Sequence, residues 1–194
     1  MLGSHNSLSY LPCRKWWMYL IKWAAKCQRE GLCEQFEKGV RYFDLRVRFT
    51  EKGTPVIAHG LVEYKGDIGA FLMLLDLLAK RFNETVCVRF VLEFNKKPKD
   101  WILQTNQLNE MVSRFRGSCP RLTYDYTMTK WNEQDLIRYN HSMVYLLHKY
   151  SSVLGWKRFL WIPWVYAKLH NKDAKETYKE IVNSKGSVLM LDFV

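Results

Sequence analysis

The segment from Val40 to Phe49, V-R-Y-F-D-L-R-V-R-F, constrains the fold more than any other part of the chain. Its near-strict alternation is the pattern of a β-strand, whose successive side chains point to opposite faces of a sheet. Phe43 and Leu45 fall on one face, and Tyr42, Asp44 and Arg46 fall on the other. An inward face carrying three polar groups is costly unless they are paired. A structural ion pair between Asp44 and Arg46 meets that demand, and so does a functional site; the strand alone does not separate the two. Around this strand, strand-like and helix-like stretches alternate. Pro55–His59 predicts a short apolar strand, Gly66–Phe82 a helix, Thr85–Phe94 a strand and Trp101–Phe115 a helix. Arg121–Tyr124 and Met143–Leu147 predict strands, Lys172–Asn183 a helix, and Ser187–Phe193 a last strand. This order predicts an α/β domain with a mainly parallel sheet. No Gly/Ser/Pro-rich linker or repeat divides the 194 residues, so one domain spanning 1–194 is expected.

Composition narrows the function classes. Hydrophobic residues make up 48% and charged residues 25%, which suits a packed core and argues against wholesale disorder. The formal charge of +11 favours an anionic partner: a phosphate ligand, an acidic membrane surface or a nucleic acid. The five Cys are odd in number and lack zinc-type spacing, and they read as reduced thiols serving as small hydrophobes. No apolar run is long enough to span a bilayer, and the first motif lies within the first few residues, so no secretory signal is expected before it unless a start site lies further upstream. A soluble protein, cytoplasmic or peripheral at a membrane, is the expectation.

Four polar constellations sit on or just after strands. Gly3-Ser4-His5-Asn6-Ser7 follows a short apolar start. Asp44 and Arg46 share a strand face, and Val56-Ile57-Ala58-His59-Gly60 ends a buried strand in a His. Leu189-Met190-Leu191-Asp192-Phe193 puts one carboxylate inside an apolar strand, where it needs a cationic partner. Each alone has an ordinary structural explanation. Together, two His, one Arg and two Asp are the parts of an acid–base site. Histidine titrates near neutral pH. A guanidinium offers a fixed fork of donors to phosphate oxygens. A carboxylate beside a His fixes its tautomer. Phosphodiester chemistry follows, with one His taking a proton and the other giving one.

These motifs, with Gln35-Phe36-Glu37-Lys38-Gly39 before the long strand, Glu84-Thr85-Val86 and the terminal Leu191-Asp192-Phe193-Val194, resemble the catalytic X domain of phosphatidylinositol-specific phospholipases C. The likeness runs in order along nearly the whole chain and is strongest over the first 95 residues. It implies a distorted, incomplete TIM-type barrel with the site at the carboxyl ends of the strands. A full barrel of this type takes about 250 residues, so this one would be trimmed. The resemblance further implies that His5 is the base that deprotonates the inositol 2-hydroxyl and that Asp192 orients it. Arg46 would hold the phosphate, and His59 would be the acid that protonates the leaving diacylglycerol oxygen. Asp44 would support Arg46 or the histidines. The expected first product is a cyclic inositol phosphate.

The family divides by electrophile: calcium in eukaryotic-type members, an arginine in bacterial-type ones. Arg46 implies the bacterial, metal-independent type and no cofactor, with calcium as the lesser alternative. Asn6 departs from that type, many of whose members carry an Asp after the first His to support the second. Either Asp44 takes over that support or His59 is a weaker acid. Asn6, Arg89 and Glu93 are further candidates to line the substrate site, and Glu93 also resembles a calcium-ligand acid of the eukaryotic type. For membrane contact, Arg14–Lys26 is the leading segment. On a helix Trp16, Tyr19, Leu20 and Trp23 would share a face, Trp17 lying beside them, next to a stripe of Lys15, Lys22 and Lys26. A core-facing helix is the competing reading. Phe159–Tyr166 is a second candidate, equally readable as core or as a rim for substrate. The expected partners are a phosphoinositide-type lipid and an anionic membrane surface, with a monomeric protein and no nucleic acid. Another phosphodiester, glycerophosphodiester or sphingomyelin-like, and a non-catalytic anionic lipid-binding module remain the alternatives.

Overall fold

The computed structural model describes residues 1–93, 101–127, 164, 167–168, 189–191 and 193–194, with residues 125–127 and 189 described by backbone alone. It is a mixed α/β structure built on one sheet. In chain order the elements are β1 (Leu2–Ser4), a 3-10 helix (Trp16–Leu20), α1 (Lys22–Ala25), α2 (Leu32–Glu37), β2 (Val40–Phe49), β3 (Pro55–His59) and β4 (Val62–Tyr64). They continue with α3 (Ile68–Arg81), β5 (Val86–Leu92), α4 (Trp101–Ser118), β6 (Leu122–Thr127) and β7 (Leu189–Leu191). The predicted strand Met143–Leu147, the helix Lys172–Asn183, the Phe159–Tyr166 patch apart from an exposed Trp164, and Asp192 lie outside the described residues.

β2 is the centre of the sheet. Tyr42 and Phe43 pair in parallel with β1 on one edge and with β5 on the other. Farther along, Val47–Phe49 take an antiparallel β3 on the β1 edge. β7 extends the sheet beyond β1, β4 beyond β3, and β6 beyond β5. The β1–β2, β1–β7, β2–β5 and β5–β6 pairings are parallel, as expected, and the β3–β4 hairpin supplies the antiparallel ones. Among the described residues the sheet does not close into a barrel.

The two faces of β2 differ as its alternation predicts. Phe43, Leu45, Val47 and Phe49 join the core together with Val86, Val88, Phe90 and Leu92 of β5. Each such buried side chain contributes about 1.5–3 kcal/mol relative to exposure. Val40 also reaches this core although its parity is wrong, because the register shifts between Leu2 and Gly3, so that Arg41 is an extra residue on β2. Helix α3 buries Ile68, Leu72, Leu75 and Ala79, spaced for one helical face. Helix α4 buries Leu108, Met111 and Val112. Both pack on the sheet and supply its apolar cover, which leaves the face of Asp44 and Arg46 for the polar groups.

Two expectations are corrected. Helix α3 starts at Ile68 rather than Gly66, because Asp67 is extended and its carboxylate accepts from the Ala70 N–H as an N-cap. Arg14–Lys26 is not one helix. It breaks at Ile21, where the 3-10 helix ends and α1 begins. β-branched and aromatic residues weaken helical order there, and Lys22 is tied to the carbonyls of Tyr10 and Leu11 instead of joining an outer basic stripe.

Candidate active site

His5 leaves β1 at its carboxyl end and is held at both sides of its backbone. Its N–H donates to the Leu191 carbonyl at 2.9 Å, and its own carbonyl accepts from Gln28 Nε2 at 3.0 Å. The chain then turns sharply at Asn6, whose φ of 45° lies in the left-handed region that Asn tolerates. The turn aims the Asn6 N–H at Asp44 Oδ2, 3.0 Å away, and the Ser7 N–H at the Asp44 carbonyl, 2.8 Å away. The Asn6 side chain is fully buried, with Nδ2 3.4 Å from the Ala25 carbonyl.

Asp44 and Arg46 stand on the polar face of β2. Arg46 Nε donates to Asp44 Oδ2 at 3.0 Å, and Nη1 donates to Glu93 Oε1 at 3.1 Å. Its Nη2 lies 2.5 Å from His5 Nε2. A guanidinium only donates, so in neutral His5 it is Nε2 that accepts and Nδ1 that carries the proton. Arg89, Asp44's register neighbour on β5, brings Nη1 to 3.9 Å from Asp44 Oδ1. The buried cluster thus pairs two guanidiniums with two carboxylates. Burial alone would push the Asp44 carboxyl up; Arg46, Arg89 and His5, with the Asn6 N–H, overturn that and hold it well below the usual carboxylate range. Arg46 stays charged by the same pairing, against a burial that would lower it.

His59 ends β3, and Gly60, at φ +59°, turns the chain away immediately after it. Its Nδ1 donates to the Ala25 carbonyl at 2.9 Å, which leaves Nε2 to face the site. That carbonyl also accepts from the Tyr64 hydroxyl at 3.1 Å. The His5 and His59 rings are 5.9 Å apart and nearly perpendicular, at 84°. Burial, then the charges of Arg46 and His5, lower the His59 pKa to about 4 from the ordinary histidine value of 6.5.

That shift has a consequence for stability. Between the two values the unfolded chain binds a proton at this residue that the folded protein does not. The contribution is therefore fully present above pH 6.5 and is lost as pH falls towards about 4, amounting to about 3 kcal/mol. Chemical denaturation across that range is expected to show acid destabilisation that is much reduced in a His59→Gln variant. An unchanged acid slope in the variant would contradict it.

His5, Asp44, Arg46 and His59 therefore converge, with Glu93 and Arg89 buried beside them. Asp44 lies near His5, its Oδ2 3.9 Å from Nε2, while the carboxylate 3.9 Å from His59 Nε2 is that of Glu93. Trp16, Trp17 and Trp23 are exposed on the segment that leads into Ala25, along with Tyr19 and Leu20. Sequence reasoning passed over three contributors. The Ala25 carbonyl is a backbone atom with no sequence signal. Gln28 gives no periodic cue. Arg48 has the parity of Asp44 and Arg46 on β2 and was open to the same reading.

No protein-family model matches the chain, and no curated protein matches it. Solved structures do resemble parts of it. Phosphatidylinositol-specific phospholipase C from Listeria monocytogenes is 20% identical, with a TM-score of 0.47, over 60% of this chain and 39% of that one. A structure of the Staphylococcus aureus phosphatidylinositol-specific phospholipase C, from work on its membrane binding, is 22% identical, with a TM-score of 0.47, over 66% of this chain and 47% of that one. A double mutant of the Staphylococcus aureus protein is 26% identical, with a TM-score of 0.41, over 49% and 32%. The chain thus spans less than half the length of these proteins.

Proposed function

We propose that the chain is a phosphodiesterase of the phosphatidylinositol-specific phospholipase C type, acting by paired histidines with an arginine on the phosphate. The observation that carries the reading is that the Arg46 guanidinium lies against His5 Nε2, with the His59 ring 5.9 Å from that of His5. A phosphate arriving at Nη2 draws that donor off His5 and frees the Nε2 lone pair to take a hydroxyl proton. The bound anion also offsets the Arg46 charge that depresses His59, so ligand binding raises the proton affinity of the residue that must act as acid. Attack by the neighbouring inositol hydroxyl is intramolecular, and holding the diester in place supplies much of the acceleration. Asp192 is assigned to orient His5 on the strength of the sequence motif. Asn6, Arg89 and Glu93 would complete the polar surround of the head group. The barrel in this reading is the distorted, incomplete one that the motifs imply.

Metal independence belongs to the same proposal. Arg46 already bonds both Asp44 and Glu93, the oxygen donors a divalent ion would need, and its fixed charge replaces and repels one. Among the described residues no helix is long and apolar enough to cross a membrane. Contact with a lipid surface is assigned instead to the exposed Trp16, Trp17 and Trp23 beside Arg14 and Lys15.

Incubation of the protein with phosphatidylinositol vesicles is expected to release inositol phosphate. A Trp16→Ala/Trp23→Ala variant is expected to lose about tenfold of that rate and to keep its rate on a monomeric short-chain substrate. Equal losses on both substrates would remove the membrane assignment, and no release from any inositol lipid would remove the substrate class.

A further inference from the structure

We infer that Glu93, tethered by Arg48, is the positioning carboxylate of His59, filling the place that Asn6 leaves without an acid. The inference rests on the acid role given to His59 above.

The two buried carboxylates divide the two histidines between them. Asp44 Oδ2 is committed to Arg46 Nε and the Asn6 N–H and lies 3.9 Å from His5. Glu93 Oε1 takes Arg46 Nη1 at 3.1 Å and lies 3.9 Å from His59 Nε2. At that distance it makes no hydrogen bond to a neutral ring, but it is the nearest counter-charge once Nε2 carries a proton. The groups facing His59 are Arg46 from β2, His5 from the turn after β1, the Cys27 thiol 3.9 Å from Nδ1, the Tyr64 hydroxyl of β4 at the shared Ala25 carbonyl, and Glu93 after β5. Among these described groups only Glu93 is a carboxylate.

Arg48 is what keeps the pair in register. Its Nε donates to the Glu93 carbonyl at 3.2 Å, its Nη2 to the Gly60 carbonyl, and its Nη1 to Glu63 Oε1 at 3.4 Å. One guanidinium thus joins the residue bearing the carboxylate to the residue directly after His59. The Glu93 N–H adds a bond to the Val47 carbonyl at 2.8 Å, extending the β2–β5 ladder by one residue. A carboxylate placed only to neutralise Arg46 would not need this tie to the His59 turn.

The test is the titration of the imidazole nitrogens by NMR, in protein saturated with inorganic phosphate. In Glu93→Gln, His59 is expected to titrate about one pH unit lower than in the parent protein, a tenfold loss of proton affinity, with His5 moving by less than half as much. Glu93→Asp is expected to recover part of the shift. Arg48→Met, which keeps the carboxylate and cuts the tether, is expected to lower His59 in the same direction by less, and it serves should Glu93→Gln not fold. An unmoved His59 in folded Glu93→Gln, or equal movement of both histidines, overturns the inference, as does an unmoved His59 in folded Arg48→Met. This readout needs no turnover. Protein that cleaves no inositol lipid yet shows the Glu93-dependent shift sustains the pairing while the substrate assignment fails.

Discussion

Replacing His59 with alanine is expected to lower turnover of a phosphodiester with an alkyl leaving group by about 10²–10⁴-fold, and turnover of an aryl ester by far less. The difference follows from what the proton is for. An alkoxide such as that of diacylglycerol leaves only if it is protonated as the bond to phosphorus breaks, whereas a phenolate leaves without help. His59 is poised to supply that proton, since Nδ1 is fixed on the Ala25 carbonyl and Nε2 is the nitrogen presented to the site. His5→Ala is expected to lower both substrates alike, because the attacking hydroxyl is the same for each. Initial rates on matched alkyl and aryl inositol phosphodiesters check this. If His59→Ala lost equally on both, or His5→Ala were rescued by the aryl ester, the division into base and acid would be wrong.

The second large effect is expected at Arg46. Arg46→Met removes the donor that holds the phosphate, for a loss of about 10²–10³-fold in turnover. It also leaves Asp44 and Glu93 buried without their shared counter-charge, which costs about 3–5 kcal/mol of stability at neutral pH. The stability deficit is expected to narrow as pH falls, since protonating Glu93, and Asp44 now facing Arg89 alone, removes charge that Arg46 had offset. Arg46→Lys separates the two roles. An ammonium restores charge but lacks the fork that reaches Asp44, Glu93 and His5 together, so stability is expected to recover more than activity. Denaturant melts at pH 7 and pH 5, set beside rates, check both. A variant as stable as the parent at pH 7 would contradict the buried ion cluster.

The part of this site carried by β2 was legible because a strand has period two. Asp44 and Arg46 had to share a face, and the observed limits of β2 and β3 match the alternating run and the short apolar run. Arg48 obeys the same rule, but parity alone does not tell a site residue from a solvated one. Its role depends on the Glu93 and Gly60 carbonyls, which are distant in sequence. Glu93 was legible as a polar residue at a strand end; its nearness to His59 was not, because that depends on how β5 and the β3 turn lie relative to one another. The Arg14–Lys26 segment misled for a different reason. Aromatic spacing suggested a single helix, whereas Lys22 is drawn to the Tyr10 and Leu11 carbonyls and the backbone breaks at Ile21. The exposure of Trp16, Trp17 and Trp23 survives that break.

Joint action of His5, Arg46 and His59 on one phosphodiester, without a metal ion, is the core of the proposed mechanism. Its most direct test is phosphorus NMR of the first product formed from phosphatidylinositol in the presence of a calcium chelator. The expected result is a cyclic inositol phosphate appearing before any linear one, at a rate the chelator does not change. A linear phosphate as the first product, or turnover that returns only when calcium is restored, would contradict it.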